Sequence, residues 1–233
     1  MGARVGHRVA LAEIIAALDG AHPDARLALD FESPFQLLVA LILAAQSTDA
    51  NTNEITPTLF AKFPDPAAFA EADIGALETA IHSCGFFRQK ARTLQRCSRV
   101  LVDGHGGDVP RDLDALLALP GVGRKTANIL RGNAWGIPGI GVDTHVSRLS
   151  QRLGLTKQTD PDKIEADLVR QVPEPRQIRF CHLLQYHGRR VCHARKPACP
   201  DCVVATLCPY PDKTPAPARP APTRSVWGPR ADD

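Results

Sequence analysis

Apolar residues recur along this chain at helical intervals and almost nowhere alternate with period two. The fold class this predicts is all-α. Leu11, Ile14, Ile15 and Leu18 mark the apolar face of a first helix, with Gly20 standing where a C-terminal cap belongs. Ser33 and Pro34 read as N-cap and first position of a helix through Ala45. It is apolar on nearly every side, so it should be the central, buried one. The polar run Gln46-Ser47-Thr48-Asp49 closes it, after which Asn51 to Phe63 reads as helix, with Pro57 marking a break or a late start. Asp65-Pro66 and Asp73 begin two short helices, the second presenting Ile74, Leu77 and Ile81. Past a turn at Cys84-Gly85, Phe86-Phe87 starts a basic helix, Arg88 to Val102, that stops at Gly104. Further helices are expected over Asp112 to Ala118 and Arg124 to Asn133, after Asp143, after Asp160-Pro161, and around Phe180, Leu183, Leu184 and Tyr186.

The stretch from Leu119 to Val146 holds the densest candidate chemistry. Gly121 and Gly123 flank Val122 after Pro120, so the backbone can take positive φ and turn sharply before Arg124. Such a turn leaves N–H groups free, and together with the positive end of the next helix dipole they suit one phosphate. Two short helices joined in this way look like a helix-hairpin-helix unit, although a glycine-rich connector with no ligand has the same pattern. Lys125 lies in the first turn of the second helix, where the dipole opposes a cation by roughly 0.3 to 1 kcal/mol. Burial would further favour the neutral amine, which is a nucleophile. A solvated or phosphate-pairing lysine is the other reading. Asp143 opens the amphipathic helix Asp-Thr-His-Val-Ser-Arg-Leu, and capping there is compatible with stabilising positive charge or taking a proton. His145 and Arg148 of that helix are candidate DNA contacts.

Composition changes this picture in three respects. With 233 residues and 44% hydrophobic content the chain can bury a core, in one large domain or two small ones. Net charge is only +3, so a polyanionic partner must be argued from where charge sits. Pro175 to Pro200 holds six Arg or Lys and no Asp or Glu, which reads as a basic patch or as an ordinary solvated face. Four of the seven cysteines crowd into Cys192, Cys199, Cys202 and Cys208, separated by six, two and five residues. Four thiolates fit a 4Fe-4S cluster or tetrahedral zinc, and zinc modules generally show two close pairs where this chain has one. An odd, clustered cysteine count also points to a reducing compartment. His187 and His193 read as phosphate or surface residues, while Arg195 and Lys196, between Cys192 and Cys199, read as cations on a pinned loop.

Glu13 interrupts the first apolar stretch, so no secretory signal is expected. The longest apolar run, Leu37 to Ala45, is far below the roughly 20 residues of a bilayer span. A soluble, cytoplasmic protein is expected. From Lys213 the chain is rich in proline, and a disordered tail is expected, its Arg219 and Arg224 before Trp227 either solvated or adding weak DNA affinity.

Over roughly Val9 to Tyr210 the sequence resembles the endonuclease III family of DNA glycosylase/lyases, on the strength of LPGVGRKTAN followed by VDTHV and the cysteine spacing. The resemblance implies a two-lobed helix-hairpin-helix glycosylase fold. Residues 27–138 would form a six-helix bundle, residues 1–26 and 139–212 an iron-sulfur lobe, and 213–233 the tail. It also implies that Lys125 attacks the sugar C1′ with Asp143 assisting, and that Gln46 fills the gap left by the extruded nucleotide while Phe86 wedges against the opposite strand. Cys192, Cys199, Cys202 and Cys208 would bind a [4Fe-4S] cluster that shapes a DNA-binding loop. The implied substrate is double-stranded DNA with oxidised pyrimidines or abasic sites, cut 3′ to the lesion by a monomer at the bacterial nucleoid. An adenine glycosylase of the related mismatch-repair type would lack the lysine and carry glutamate where Leu41 stands. A non-catalytic DNA-binding protein and an electron carrier are the remaining rivals. The run STDANTNEI after Gln46 is more polar than the family leads one to expect.

Overall fold

The computed structural model describes residues 2–216, with side chains from residue 11 onward. Arg219, Arg224 and Trp227 lie outside the described residues. Among those described there are eleven α-helices and no strand, as the periodicity predicts. They are α1 (Gly2–Ala21), α2 (Pro34–Ala44), α3 (Asp49–Lys62), α4 (Pro66–Glu71), α5 (Ile74–Ala80), α6 (Phe87–His105), α7 (Leu113–Leu117), α8 (Arg124–Trp135), α9 (Thr144–Arg152), α10 (Pro161–Gln171) and α11 (Gln177–Arg190).

Most helix starts are side-chain caps. Ser33, Thr48, Asp65, Asp73, Asp112, Asp143 and Asp160 each accept a hydrogen bond from the backbone N–H three residues on. α6, α8 and α11 begin differently: α6 starts at Phe86, in the left-handed region, α8 at Gly123 and α11 at Arg176, and none has a side-chain cap.

Two hydrophobic cores organise the chain. In the first, Leu37, Leu38 and Leu43 of α2 are fully buried against Leu94 and Leu101 of α6 and Leu130 of α8. Phe69 packs edge-on to Phe35, ring centroids 5.4 Å apart. In the second, Ile14 and Leu18 of α1 meet Val146 and Leu149 of α9, Ile164 and Leu168 of α10, and Phe180, Leu183 and Leu184 of α11. The first helix of the chain thus packs with the last. α8 links the two cores: a Cβ on Gly132 would come within 3.0 Å of Ile178 on α11, and His182 Nε2 lies 3.0 Å from Asn133 Oδ1.

Several expected boundaries need correction. Gly20 does not end the first helix, which runs to Ala21. α3 passes through Pro57 without a break, because the proline is exposed while Ile55, Thr56 and Leu59 are buried on the other side. Their packing outweighs the bond the proline ring removes. α6 continues past Gly104 and stops at Gly106, where φ is +61°. α8 likewise extends to Trp135 and is closed by Gly136.

Candidate active site and DNA interface

The hairpin between α7 and α8 is a tight backbone turn. Gly121 has φ +82°, and a Cβ there would lie 2.4 Å from Thr93 Cγ2, so both conformation and space demand glycine. Val122 is buried and anchors the turn, its N–H bonded to the Leu119 carbonyl at 3.1 Å. Gly123 is exposed, and the first N–H groups of α8 have no intrahelical acceptor. The sequence therefore leaves backbone N–H groups open at the positive end of α8 without a side-chain cap.

Lys125 projects from the first turn of α8 and is exposed, which corrects the expectation that burial adds to its reactivity. No hydrogen bond or ion pair engages its amine among the described residues. The loop to Asp143 passes directly beneath. At Gly141 a Cβ would lie 2.6 Å from Ile129 Cγ1 and 3.3 Å from the Lys125 carbonyl, and Asn128 Nδ2 donates to the Ile140 carbonyl at 3.2 Å. Asp143 follows two residues later, and two residues span at most about 7 Å. Its carboxylate, half-buried, accepts from Val146 N–H at 2.8 Å.

Gln46 and Phe86 meet at the same side. Both take left-handed backbone, φ 56° and 58°, and both are exposed, Phe86 to 64%. Such conformations are costly for residues other than glycine and cluster where function requires them. A Cβ on Gly85 would lie 3.5 Å from the Gln46 carbonyl, so the two turns touch. With Gly121, Lys90, Thr93 and Thr126 they line a cleft of about 230 Å³. A larger groove, about 620 Å³, lies between α1 and the end of α10 and contains none of the candidate residues.

The other basic candidates are differently placed. Arg124 is held by Glu165 of α10 through two bonds of 2.8 and 2.9 Å, and this pairing raises its pKa. Arg148 donates to the Gly188 and Cys192 carbonyls at 3.1 and 3.0 Å and to His145 Nδ1 at 3.0 Å. His145 is half-buried, and burial lowers its pKa. Of the six basic residues from Pro175 to Pro200, Arg176 and Arg179 pair with Asp19, Arg189 with Asp49 and Arg190 with Asp24. The basic patch therefore keeps two exposed cations without a carboxylate partner among the described residues, Arg195 and Lys196.

Cys192, Cys199, Cys202 and Cys208 are free thiols that line one small cleft. Among the described residues no three His, Cys, Asp or Glu side chains converge on a single-ion site. Two nitrogens lie against the sulfurs: Arg152 Nη1 donates to Cys192 Sγ at 3.2 Å, and His187 Nε2 lies 3.3 Å from Cys202 Sγ.

The residues that match a family model described as HhH-GPD superfamily base excision DNA repair protein are 39–174, and they contain the whole hairpin and Asp143. The chain is 51% identical over 198 residues to an endonuclease III of Synechocystis sp., covering 84% of this chain and 90% of that one. It is 39% identical over 201 residues to endonuclease III of Escherichia coli (strain K12), at 86% and 95% coverage. This chain belongs to the endonuclease III family. A solved structure of a trapped endonuclease III–DNA covalent intermediate superposes with a TM-score of 0.83 at 39% identity, covering 87% of this chain and 96% of that one. The protein is a base-excision DNA glycosylase.

Within this endonuclease III frame, two residues have roles that the sequence does not signal. His187 is not a surface residue: it is buried, with His22 Nε2 at 3.0 Å from its Nδ1. Arg152, which closes α9, also donates to the His193 and Ala194 carbonyls at 2.7 and 2.9 Å and stacks on Tyr210. His193 itself is exposed, in keeping with its surface reading.

Proposed function

We propose that this glycosylase is bifunctional, excising oxidised or ring-damaged pyrimidines from duplex DNA and cutting the strand 3′ to the abasic site. The observation that carries it is the packing at Gly141, which lays the loop to Asp143 against the first turn of α8, where the Lys125 amine is unpartnered and exposed. The neutral amine attacks C1′ while the C1′–N bond breaks and the base departs with its electron pair and a proton. Ring opening leaves an iminium joining Nζ to C1′, which makes the 2′ proton acidic. Loss of that proton expels the 3′ phosphate by β-elimination, and hydrolysis of the imine frees Lys125. Asp143, held by Val146 N–H, stabilises positive charge near C1′ and handles the proton.

The hairpin N–H groups of Gly123, Arg124 and Lys125 hold a phosphate. Gln46 and Phe86 occupy the space that the extruded nucleotide vacates and so offset the unstacking, which costs about a few kcal/mol. Arg195 and Lys196 add cations from the cysteine loop. That loop binds a [4Fe-4S] cluster through Cys192, Cys199, Cys202 and Cys208, and the buried histidines fit this. A thiolate at Cys202 only accepts, so His187 donates from Nε2 and accepts at Nδ1 from His22 Nε2. His22 Nδ1 is then a bare acceptor, and it is a buried atom without a hydrogen-bond partner among the described residues. The cluster would fix the loop's shape and take no part in the reaction. The two cores would correspond to lobes at 27–138 and at 1–26 with 139–212, acting as a monomer in the compartment of the bacterial chromosome.

Borohydride trapping on a duplex containing thymine glycol tests this reading. A covalent protein–DNA adduct and a β-elimination end are expected; excision that leaves an intact abasic strand and no adduct would overturn it.

A further inference from the structure

We propose that Lys90 is a positioning residue for nucleotide extrusion, its buried ammonium locking the turn that carries Gln46 to the turn that carries Phe86. The side chain is 7% exposed, and no carboxylate pairs with it among the described residues. Its partner is the Leu43 carbonyl, 2.7 Å from Nζ. That carbonyl belongs to the last turn of α2, where acceptors are left over and the dipole is negative, so a cation is well placed there. The backbone N–H of Lys90 bonds to the Phe86 carbonyl at 3.0 Å and so forms the first turn of α6. One residue therefore holds the end of α2, three residues before Gln46, and the start of α6.

What it holds is strained. Gln46 and Phe86 are both left-handed and exposed, and neither gains burial that would offset the strain. Burying an amine opposite a lone carbonyl is itself unfavourable, since a leucine in this position would fill the same space without a charge. The bond gains meaning from the surface it supports, a cleft walled by Gln46, Phe86, Thr93, Gly121 and Thr126 with Lys90 among its lining. A fixed wedge and a fixed filler must stand at a set separation to replace a stacked nucleotide. Burial also lowers the Lys90 pKa, consistent with a group whose surroundings are closed.

This inference rests on the reading of Gln46 and Phe86 as the extrusion pair, and the test separates the two. In the full-length, cluster-loaded protein, Lys90→Met removes the donor and keeps the length. Single-turnover excision from a paired lesion should fall roughly tenfold to a hundredfold, the range for ångström-scale misplacement. Cleavage at a preformed abasic site should change little, because no base has to leave the stack. Fluorescence of a 2-aminopurine beside the lesion should show less unstacking, and Lys90→Arg should restore part of both signals. Equal loss on the two substrates would mean a merely structural role and overturn the proposal, as would no loss. If Lys90→Met does not fold, Lys90→Gln is read on the same ratio. If Gln46→Ala and Phe86→Ala leave excision unchanged, the extrusion reading itself fails.

Discussion

At Gly121, Gly123 and Lys125 the chain leaves its polar groups open: a left-handed glycine, an uncapped helix start and an exposed amine. Around Cys192 and Cys202 it closes them. Arg148 and Arg152 are both engaged by carbonyls of that loop, and His187 is engaged by Cys202. Arg124, held by Glu165, and the exposed Arg195 and Lys196 apart, the first region presents its cation while the second is tied internally by cations from α9. Charge present in a sequence is thus not charge available to a ligand. Four of the six basic residues from Pro175 to Pro200 show this, each paired with an aspartate on another element.

The sharpest way to break the contrast is at the open side. Lys125→Gln should abolish the borohydride-trapped adduct while leaving lesion binding and thermal melting near normal, because the side chain is exposed and unpaired. An adduct that survives would make another amine the nucleophile. Asp143→Asn is the next largest. Asn caps about as well as Asp, so melting should hold, whereas excision should slow by roughly 10²-fold or more if the charge serves the reaction. Unchanged excision would reduce Asp143 to a helix cap.

A third effect belongs to the seam between the two cores. Burial pushes the His182 pKa down to about 4, and the ring sits 3.0 Å from Asn133 of α8. The unfolded chain, with an ordinary histidine near pH 6.5, takes up the proton first as pH falls. Stability from this group is therefore complete above about pH 6.5 and declines between about 6.5 and 4, by up to about 3 kcal/mol. Melting curves across that window should show the loss, and His182→Gln should reduce it, the remainder belonging to His187, which burial also pushes down to about 4. A slope unchanged by the substitution would assign the acid sensitivity elsewhere.

The helix starts are legible in the sequence because capping is local: Ser33, Asp65, Asp73, Asp112, Asp143 and Asp160 announce themselves three residues ahead of the N–H they bind. The glycine turn is legible for the same reason. Thr48 is hard to single out inside a polar run, and Pro57 misleads because its exposed ring and the buried face behind it are matters of packing. The burial of His187 has no local signal, since its partner His22 is 165 residues away. The pairing of the Pro175 to Pro200 arginines is equally hidden, as Asp19, Asp24 and Asp49 come from the first part of the chain. Phe86 is visible as a bulky aromatic, but its left-handed backbone follows only from the turn against Gln46.

The smallest expected effect tests the closed side. Arg152 ends α9, the helix that Asp143 begins, and its guanidinium reaches the His193 and Ala194 carbonyls and the Cys192 sulfur while lying over the Tyr210 ring. Arg152→Met keeps much of the apolar stem and removes every donor. Bonds to a charged donor contribute about 1.5 to 3 kcal/mol each when well shielded, but this loop is partly exposed, so a net cost of about 1 to 2 kcal/mol is expected. The loss should appear in the cysteine loop first, as faster iron release and faster amide exchange at Ala194 to Ala198. Trapping at Lys125 on a saturating abasic duplex should stay close to wild type, because α9 is anchored separately by Val146 and Leu149 in the second core. If trapping fell as steeply as iron retention, the tie would reach through α9 to Asp143, and the division between an open reactive side and a closed shaping side would have to be given up.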